Sequence, residues 1–243
     1  LTAIHAVFCT IQIVYLFLQA GTLPEQMTWA QYARQGFFQL LAVCVINLAV
    51  VAVCLFGFRK NRALQILLTA VCAMTYVLIA SSAWRMYLYI RQYSLTFLRL
   101  MVLWALFVMA VIFVGTMIAV WKRDFELPRF WLIAVAFLYL IPAFGRPDYW
   151  IASYNVSREA NTRESVMYSQ DDDDVLPTAA DYSYLRGLSA DAAPVLIGRK
   201  DLTGDAVPWM HAYEEDQRSE TKNLGIRNFN LSLWQAKRRL SQE

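Results

Sequence analysis

The feature that most constrains the fold is a series of apolar runs, each about as long as a membrane-crossing helix. A helix needs about 20 apolar residues to cross the roughly 30 Å hydrocarbon core of a bilayer, because each residue adds only about 1.5 Å. Such runs cover residues 1–20, 37–58, 63–84, 98–121 and 127–144. The sequence therefore predicts an all-α, polytopic membrane protein with about five transmembrane helices, the fifth being the shortest and weakest.

Charge separates a transmembrane domain at residues 1–144 from a polar C-terminal domain at residues 145–243. The first part has ten Lys and Arg against three Asp and Glu, whereas the second has twelve against sixteen. The bilayer is thus the first predicted partner. Nucleic acid is not expected as a partner, because its phosphates attract basic surfaces and this polar domain is acidic.

Two segments between the apolar runs, at residues 28–36 and 85–97, combine aromatic and basic side chains at helical spacing. Trp and Tyr favour the headgroup level, so both segments are predicted to lie at the membrane interface. The second can alternatively extend the third span to about Gln92. Its basic–aromatic face is interpreted as an anchor to the membrane interface. The more specific alternative is a site for lipid headgroups or another anionic ligand.

The polar domain is predicted to be mainly helical. Helical patterns cover residues 148–168, 181–188, 189–200, 206–218 and 231–241. Asn155, Ser189 and Asn230 are of the types that cap helix N-termini, and each is predicted to do so. The four consecutive acids at 171–174 are interpreted as a solvated linker.

The sequence contains few motifs typical of catalytic, metal or cofactor sites. The four cysteines lie inside apolar runs and only two histidines are present, so the sequence predicts no metal site, and no cofactor motif is found. Polar residues within the runs are interpreted as interhelical hydrogen-bonding groups, with a polar cavity as the alternative. These residues are Gln12, Asn47, Gln65, Thr75, Ser81 and Ser82.

Several short motifs, taken together, resemble a family of bacterial integral membrane proteins catalogued as domain of unknown function 4173, which is related to the 4153 group. They are YARQGFFQL (32–40), RMYLY (85–89), YSLTFLR (93–99), RPD (146–148), YNVSR (154–158), DYSYL (181–185), LSADAAP (188–194) and FNLS (229–232), with Ala236 and Arg238. The family usually has Gly where Ser94 stands. Its members extend further at the N-terminus, which fits an opening at Leu1 within a longer protein. The resemblance implies architecture and a bacterial setting, but no chemistry.

Three classes of function remain open. No nucleophile–base pair or phosphate loop is found, so the sequence favours a non-enzymatic cell-envelope protein or a component with a protein partner in a membrane complex. A transporter or flippase component and a membrane-embedded transferase acting on an anionic or lipid-linked ligand are the alternatives. The candidate ligand-binding residues are the basic, aromatic and polar side chains near the membrane edge, Arg34, Arg85, Tyr89, Arg91, Arg99, Asp148, Asn155 and Arg158.

The distribution of basic loop residues predicts the orientation. With five spans, the loops after the second and fourth runs share one face and, with the adjoining helix ends, hold six basic residues, against four in the loops and helix ends of the other face. Because cytoplasmic loops are enriched in Lys and Arg, the tail is predicted to lie outside the cytoplasm of a bacterial inner membrane.

Overall fold

The computed structural model describes residues 29–58, 61–122, 124–168, 182–198, 206–222 and 230–241, and all regular structure in those ranges is helical. Four long helices come first: α1 (Trp29–Gly57), α2 (Arg62–Tyr93), α3 (Phe97–Trp121) and α4 (Leu127–Phe144). Each is long and apolar enough to cross a membrane, over Leu40–Gly57, Arg62–Arg91, Phe97–Trp121 and Leu127–Phe144. The predicted all-α, polytopic membrane fold is confirmed. The predicted run at residues 1–20 lies outside the described residues.

The two predicted edge segments are continuous with the long helices. Residues 29–36 form the first turns of α1, and α2 runs on to Tyr93 before a short turn leads into α3. Gly36 does not end α1, because one glycine costs a helix interior only about 1 kcal/mol. The turn itself contains Ser94 at a φ of 73°, in the left-handed region that favours glycine.

Backbone contacts divide the described residues into two compact units. The membrane unit comprises residues up to Gln92 together with Leu98–Ile141, and the tail unit comprises Tyr93–Phe97 together with the residues from Pro142 onward. The turn between α2 and α3 therefore belongs to the same unit as the polar C-terminal region.

Polar side chains join the helices of the membrane unit. Asn47 Nδ2 donates to Thr75 Oγ1 at 3.0 Å, and Gln65 Nε2 donates to the carbonyl of Val120 at 2.9 Å. Ser82 Oγ bonds back to the Leu78 carbonyl of its own helix. These contacts confirm the interhelical interpretation for Asn47, Gln65 and Thr75.

Apolar side chains cover the outside of the membrane unit as well as its inside. Leu98 is 68% exposed and Leu132 is 71% exposed, although both are large aliphatic residues. Helices whose outer faces are this apolar are suited to lipid rather than water. Cys44 and Cys72 are buried among these helices, as expected of small apolar side chains.

The tail unit is built from further helices of varied length around an alanine-rich centre. Its elements are α5 (Pro147–Tyr168), α6 (Tyr182–Arg186), a 3-10 helix (Ala190–Ala192), α7 (Ala193–Leu196), α8 (Ala206–Thr221) and α9 (Leu231–Leu240). Both α5 and α9 pack on the 3-10 helix and α7, and α9 also packs on α8. Small buried residues at 190, 192 and 193 allow this close approach.

Two of the three predicted helix caps are confirmed. Ser189 caps the 3-10 helix and Asn230 caps α9, each accepting from a backbone N–H two residues on. The prediction for Asn155 was wrong, because α5 begins at Pro147 and places Asn155 in the helix interior. The acidic run at 171–174 lies outside the described residues.

Candidate functional site

Asp191 is the centre of a polar cluster that ties together three parts of the tail unit. Its Oδ1 accepts from Arg146 Nε at 3.1 Å and also from the hydroxyl of Ser232 on α9. Arg146 Nη2 adds a bond to the Asp191 carbonyl at 3.2 Å. One carboxylate thereby fixes the start of α5, the 3-10 helix and the first turn of α9 against one another.

The backbone at Arg146 is held in an uncommon conformation. Its φ is 51°, a value that costs a non-glycine residue about 1–2 kcal/mol. Its guanidinium is anchored by Asp191 and lies 5.5 Å from the ring centroid of Tyr149. Such strain persists only where the surrounding contacts determine the position of the residue. The direction of the Arg146 side chain is therefore well defined.

The backbone of Ser189 makes two further hydrogen bonds that support the cluster. Its backbone N–H donates to Asp148 Oδ2 at 3.1 Å, and its carbonyl accepts from the phenol of Tyr213 at 2.9 Å. Burial raises the pKa of Tyr213, and the negative charges of Asp148, Glu220 and Asp191 raise it further. Tyr213 therefore stays protonated and acts as a structural hydrogen-bond donor.

Beside this cluster lies a cleft of about 540 Å³, here called the arginine cleft. Its α9 wall is formed by two pairs of residues that stand four apart on the helix, Trp234 with Arg238 and Gln235 with Arg239. Arg238 Cζ lies 5.8 Å from the centroid of the Trp234 ring. The lining residues are Arg146, Tyr149, Pro194, Trp234, Gln235, Arg238 and Arg239.

The arginine cleft is positive within an acidic tail. Three guanidinium groups line it, and among the described residues Arg146 is the one that pairs with a carboxylate, that of Asp191. Among the residues the structure describes, no carboxylate lies within 4.0 Å of Arg238 or Arg239. Guanidinium groups present planar forks of N–H donors that match carboxylate and phosphate oxygens. The cleft is therefore chemically suited to an anion.

The lining of the cleft consists mainly of hydrogen-bond donors and aromatic faces. Its seven described residues include no Ser, Cys, His, Asp or Glu. Among the described lining residues, the phenol of Tyr149 is the one group of a type that also serves in proton transfer. Nor do the described side chains form any cluster of three or more His, Cys, Asp or Glu that could hold a metal.

The structure distributes the predicted ligand-binding residues between the two units. In the membrane unit, Arg99 Cζ lies 4.2 Å from the centroid of the Tyr89 ring, so those two are brought together. Arg85 is half-buried and Arg91 is exposed on the same helix as Tyr89. Arg34 belongs to α1, and its side chain lies outside the described part of the chain.

The other three candidates lie on α5 in the tail unit. Asp148 supports Ser189, and Arg158 is half-buried further along the helix. Asn155 is buried, and both atoms of its side-chain amide bond to the backbone of Leu95 at 2.8 Å. Asp148 and Asn155 thus have structural partners, and neither lines the arginine cleft.

Sequence reasoning missed the residues that line the cleft. Trp234 and Arg238 stand four apart on a short amphipathic helix with a basic last turn, and that spacing was an available signal. Arg146, in contrast, was identified only as part of the short motif RPD (146–148), which implies no chemistry. Its distance of 92 positions from Arg238 left no local pattern to link them.

The four candidate spans among the described residues and the helical tail define a polytopic α-helical membrane protein. The chain belongs to the family described as domain of unknown function DUF4153, whose model matches residues 1–198. This is the 4153 group to which the motif resemblance was related; membership of the 4173 family itself is not shown. No curated protein and no solved structure matches the chain. The family match includes Arg146, Tyr149 and Pro194 but ends before α9.

Proposed function

We propose that this protein is a non-enzymatic component of the bacterial cell envelope whose tail unit binds an anionic ligand in the arginine cleft. The observation that supports it best is the pair Arg238 and Arg239, which line the cleft beside Trp234 with no described carboxylate as partner. Unpaired guanidinium groups in a concave site attract anions more strongly than isolated surface charges do, because low-dielectric walls focus the field.

Binding is favoured over catalysis by what the cleft can do chemically. Arginine stays protonated at any physiological pH, so it cannot act as a general base. The phenol of Tyr149 and the amide of Gln235 can donate hydrogen bonds that orient a ligand. Apart from that phenol, which we assign to hydrogen bonding, the described lining offers no group that would attack the anion.

The transport and transferase classes receive less support. The polar residues inside the described spans, such as Asn47 and Thr75, hydrogen-bond to each other across helices. Pairs of this kind stabilise a bundle and need no transported ligand. Ser81 Oγ is buried with no hydrogen-bond partner among the described residues, but one hydroxyl does not line a path.

We also propose an inner-membrane location with the tail outside the cytoplasm and a protein partner in a membrane complex. The excess of basic residues in the loops that contain Arg62 and Lys122 supports this orientation, since such loops remain cytoplasmic. The exposed faces of the short tail helices provide the surface for a partner.

Anion binding is tested by thermal unfolding of the full chain in neutral detergent. Inorganic phosphate is titrated against chloride at constant ionic strength. A ligand that binds only the folded state stabilises it by RT ln(1 + [L]/Kd), about 1.4 kcal/mol at a tenfold excess over Kd. We expect phosphate to raise the Tm of the native chain and of K237A, but not of R238A or R239A.

The Lys237 variant is the matched control. It removes one positive charge from the same helix turn, but Lys237 does not line the cleft. An equal loss of the phosphate effect in K237A would show that general surface charge, and not the cleft, is responsible. Conversion of a bound phosphoester to product during incubation, followed by mass spectrometry, would contradict the non-enzymatic assignment.

A further inference from the structure

We infer that the ligand of the arginine cleft is the phosphoryl headgroup of an anionic membrane lipid. This inference rests on the proposed anion-binding function and names its ligand class. Three features carry it: how close the cleft is to the end of a membrane span along the chain, the aromatic side chains at its edge, and the exposed apolar residues beside its arginines.

The first feature is the position of Arg146. It follows Phe144, the last residue of the candidate span Leu127–Phe144, by only two residues. Two residues of extended chain reach at most about 7 Å. The headgroup layer of a bilayer is of similar depth, about 5–8 Å on each side of the hydrocarbon core. One wall of the cleft is therefore covalently held at the level where lipid phosphates lie.

The second feature is an aromatic flank on that wall. Trp150 Nε1 donates to the carbonyl of Gly145 at 3.0 Å, so its indole is held next to the first residue after the span. The indole is 61% exposed and makes an edge contact with Tyr149, which lines the cleft, at 5.7 Å between ring centroids. Trp and Tyr rings with this exposure are favoured at the headgroup level of a membrane.

The third feature is the chemistry of α9. Leu231 is 59% exposed and Trp234 is 42% exposed, on the same helix that presents Arg238 and Arg239. A soluble anion would need the arginines but would gain nothing from the apolar side chains. A lipid uses both, because guanidinium groups bind its phosphate while the leucine and the indole meet its glycerol and upper acyl carbons.

The test measures lipid binding to the full chain in neutral detergent by native mass spectrometry. The probes are dioctanoyl phosphatidylglycerol, dioctanoyl phosphatidylcholine and inorganic phosphate. We expect phosphatidylglycerol to bind at least tenfold more tightly than either of the others. Phosphatidylcholine has the same phosphodiester, but its trimethylammonium group would be repelled by the arginines.

The variants distinguish binding in the arginine cleft from nonspecific attraction by surface charge. R238A and R239A are expected to weaken phosphatidylglycerol binding about tenfold each, because each removes a charged donor to the phosphate. K237A is expected to change it less than twofold. Arg238 and Arg239 are exposed, so these substitutions leave the core intact, and R238Q gives a second variant that keeps the length and polarity of the side chain.

Each contrary outcome has a distinct meaning. If inorganic phosphate binds as tightly as phosphatidylglycerol, and the arginine variants weaken both, the lipid inference is overturned while anion binding stands. If the two lipids bind equally and neither arginine variant matters, the headgroup is not recognised in the cleft and the inference is overturned. If K237A weakens binding as much as R238A does, both the inference and the proposed function fail.

Discussion

The side-chain amide of Asn155 makes both backbone hydrogen bonds of Leu95. Its Nδ2 donates to the Leu95 carbonyl and its Oδ1 accepts from the Leu95 N–H, each at 2.8 Å. Leu95 lies in the turn between α2 and α3, and Asn155 lies two turns into α5. An amide can replace a peptide group in this way because it offers one donor and one acceptor in the same plane. The turn is thereby built into the tail unit.

Replacing Asn155 by Ala should lower the free energy of unfolding by about 2–6 kcal/mol, because two buried backbone groups each lose a partner worth about 1–3 kcal/mol. The measurement is equilibrium unfolding of the full chain in mixed micelles. Ser157→Ala is the control on the same helix, since its exposed hydroxyl bonds only to the Tyr154 carbonyl. A loss for Asn155→Ala no larger than the control's would contradict the role assigned to the amide.

The left-handed backbone at Ser94 gives a second prediction. Ser94→Ala and Ser94→Gly both remove the hydroxyl, so the difference between them reports the backbone conformation. At a φ of 73° the glycine variant should be more stable than the alanine variant by about 0.5–1 kcal/mol. The same unfolding assay measures this difference. The reverse order, which is usual in helices and strands, would show that the turn does not need the left-handed conformation.

A feature of the fold or site can be predicted from the sequence when the residues that form it are close together in the chain. The spans are recognisable because length and apolarity are local, and Asn230 is recognisable as a cap because its partner Ser232 is two residues away. Asn155 looked like the same kind of cap, yet its partner Leu95 is 60 positions away. No local pattern indicates such a bond.

The arginine cleft escaped prediction for the same reason. It forms where Arg146 and Tyr149 on one side meet Trp234 and Arg238 on the other. The basic–aromatic pattern noticed in the sequence was that of Tyr89 and Arg99, which do stack in the membrane unit. Composition thus identified the right residue types, but tertiary packing decides which of them line a common cavity.

Packing of α3 against α4 gives a third prediction. A Cβ placed on Gly115 would overlap the ring of Phe130, so these helices approach through the missing side chain. Gly115→Ala should destabilise the protein by about 1–3 kcal/mol through overpacking. Gly57→Ala is the matched control, because a Cβ there meets nothing within 4 Å. Combining Gly115→Ala with Phe130→Ala should cost less than the sum of the two single changes, and simple additivity would argue against this contact.

The buried phenol of Tyr213 predicts a dependence of stability on alkaline pH. Its pKa is raised above the ordinary value of about 10, so the folded state keeps the proton while the unfolded state releases it. The stabilisation is fully present below pH 10 and is lost progressively as the pH rises above that value. Tyr213→Phe should be less stable at neutral pH, through loss of the bond to Ser189, and its stability should fall less steeply above pH 10. Parallel slopes for the two proteins in thermal unfolding scans would refute this assignment.

Membrane orientation gives the last prediction, which is tested by cysteine labelling in intact bacterial cells. Glu215 is exposed on α8, and Asp124 is exposed in the short connection between α3 and α4. If the basic loops are cytoplasmic, Glu215→Cys should react with a membrane-impermeant maleimide, and Asp124→Cys should react only after the cells are opened. Cys44 and Cys72 are buried and should not interfere, and the parent chain measures any background from the other native cysteines. Labelling of Asp124→Cys in intact cells, without labelling of Glu215→Cys, would place the tail in the cytoplasm. The arginine cleft would then face lipids of the cytoplasmic leaflet.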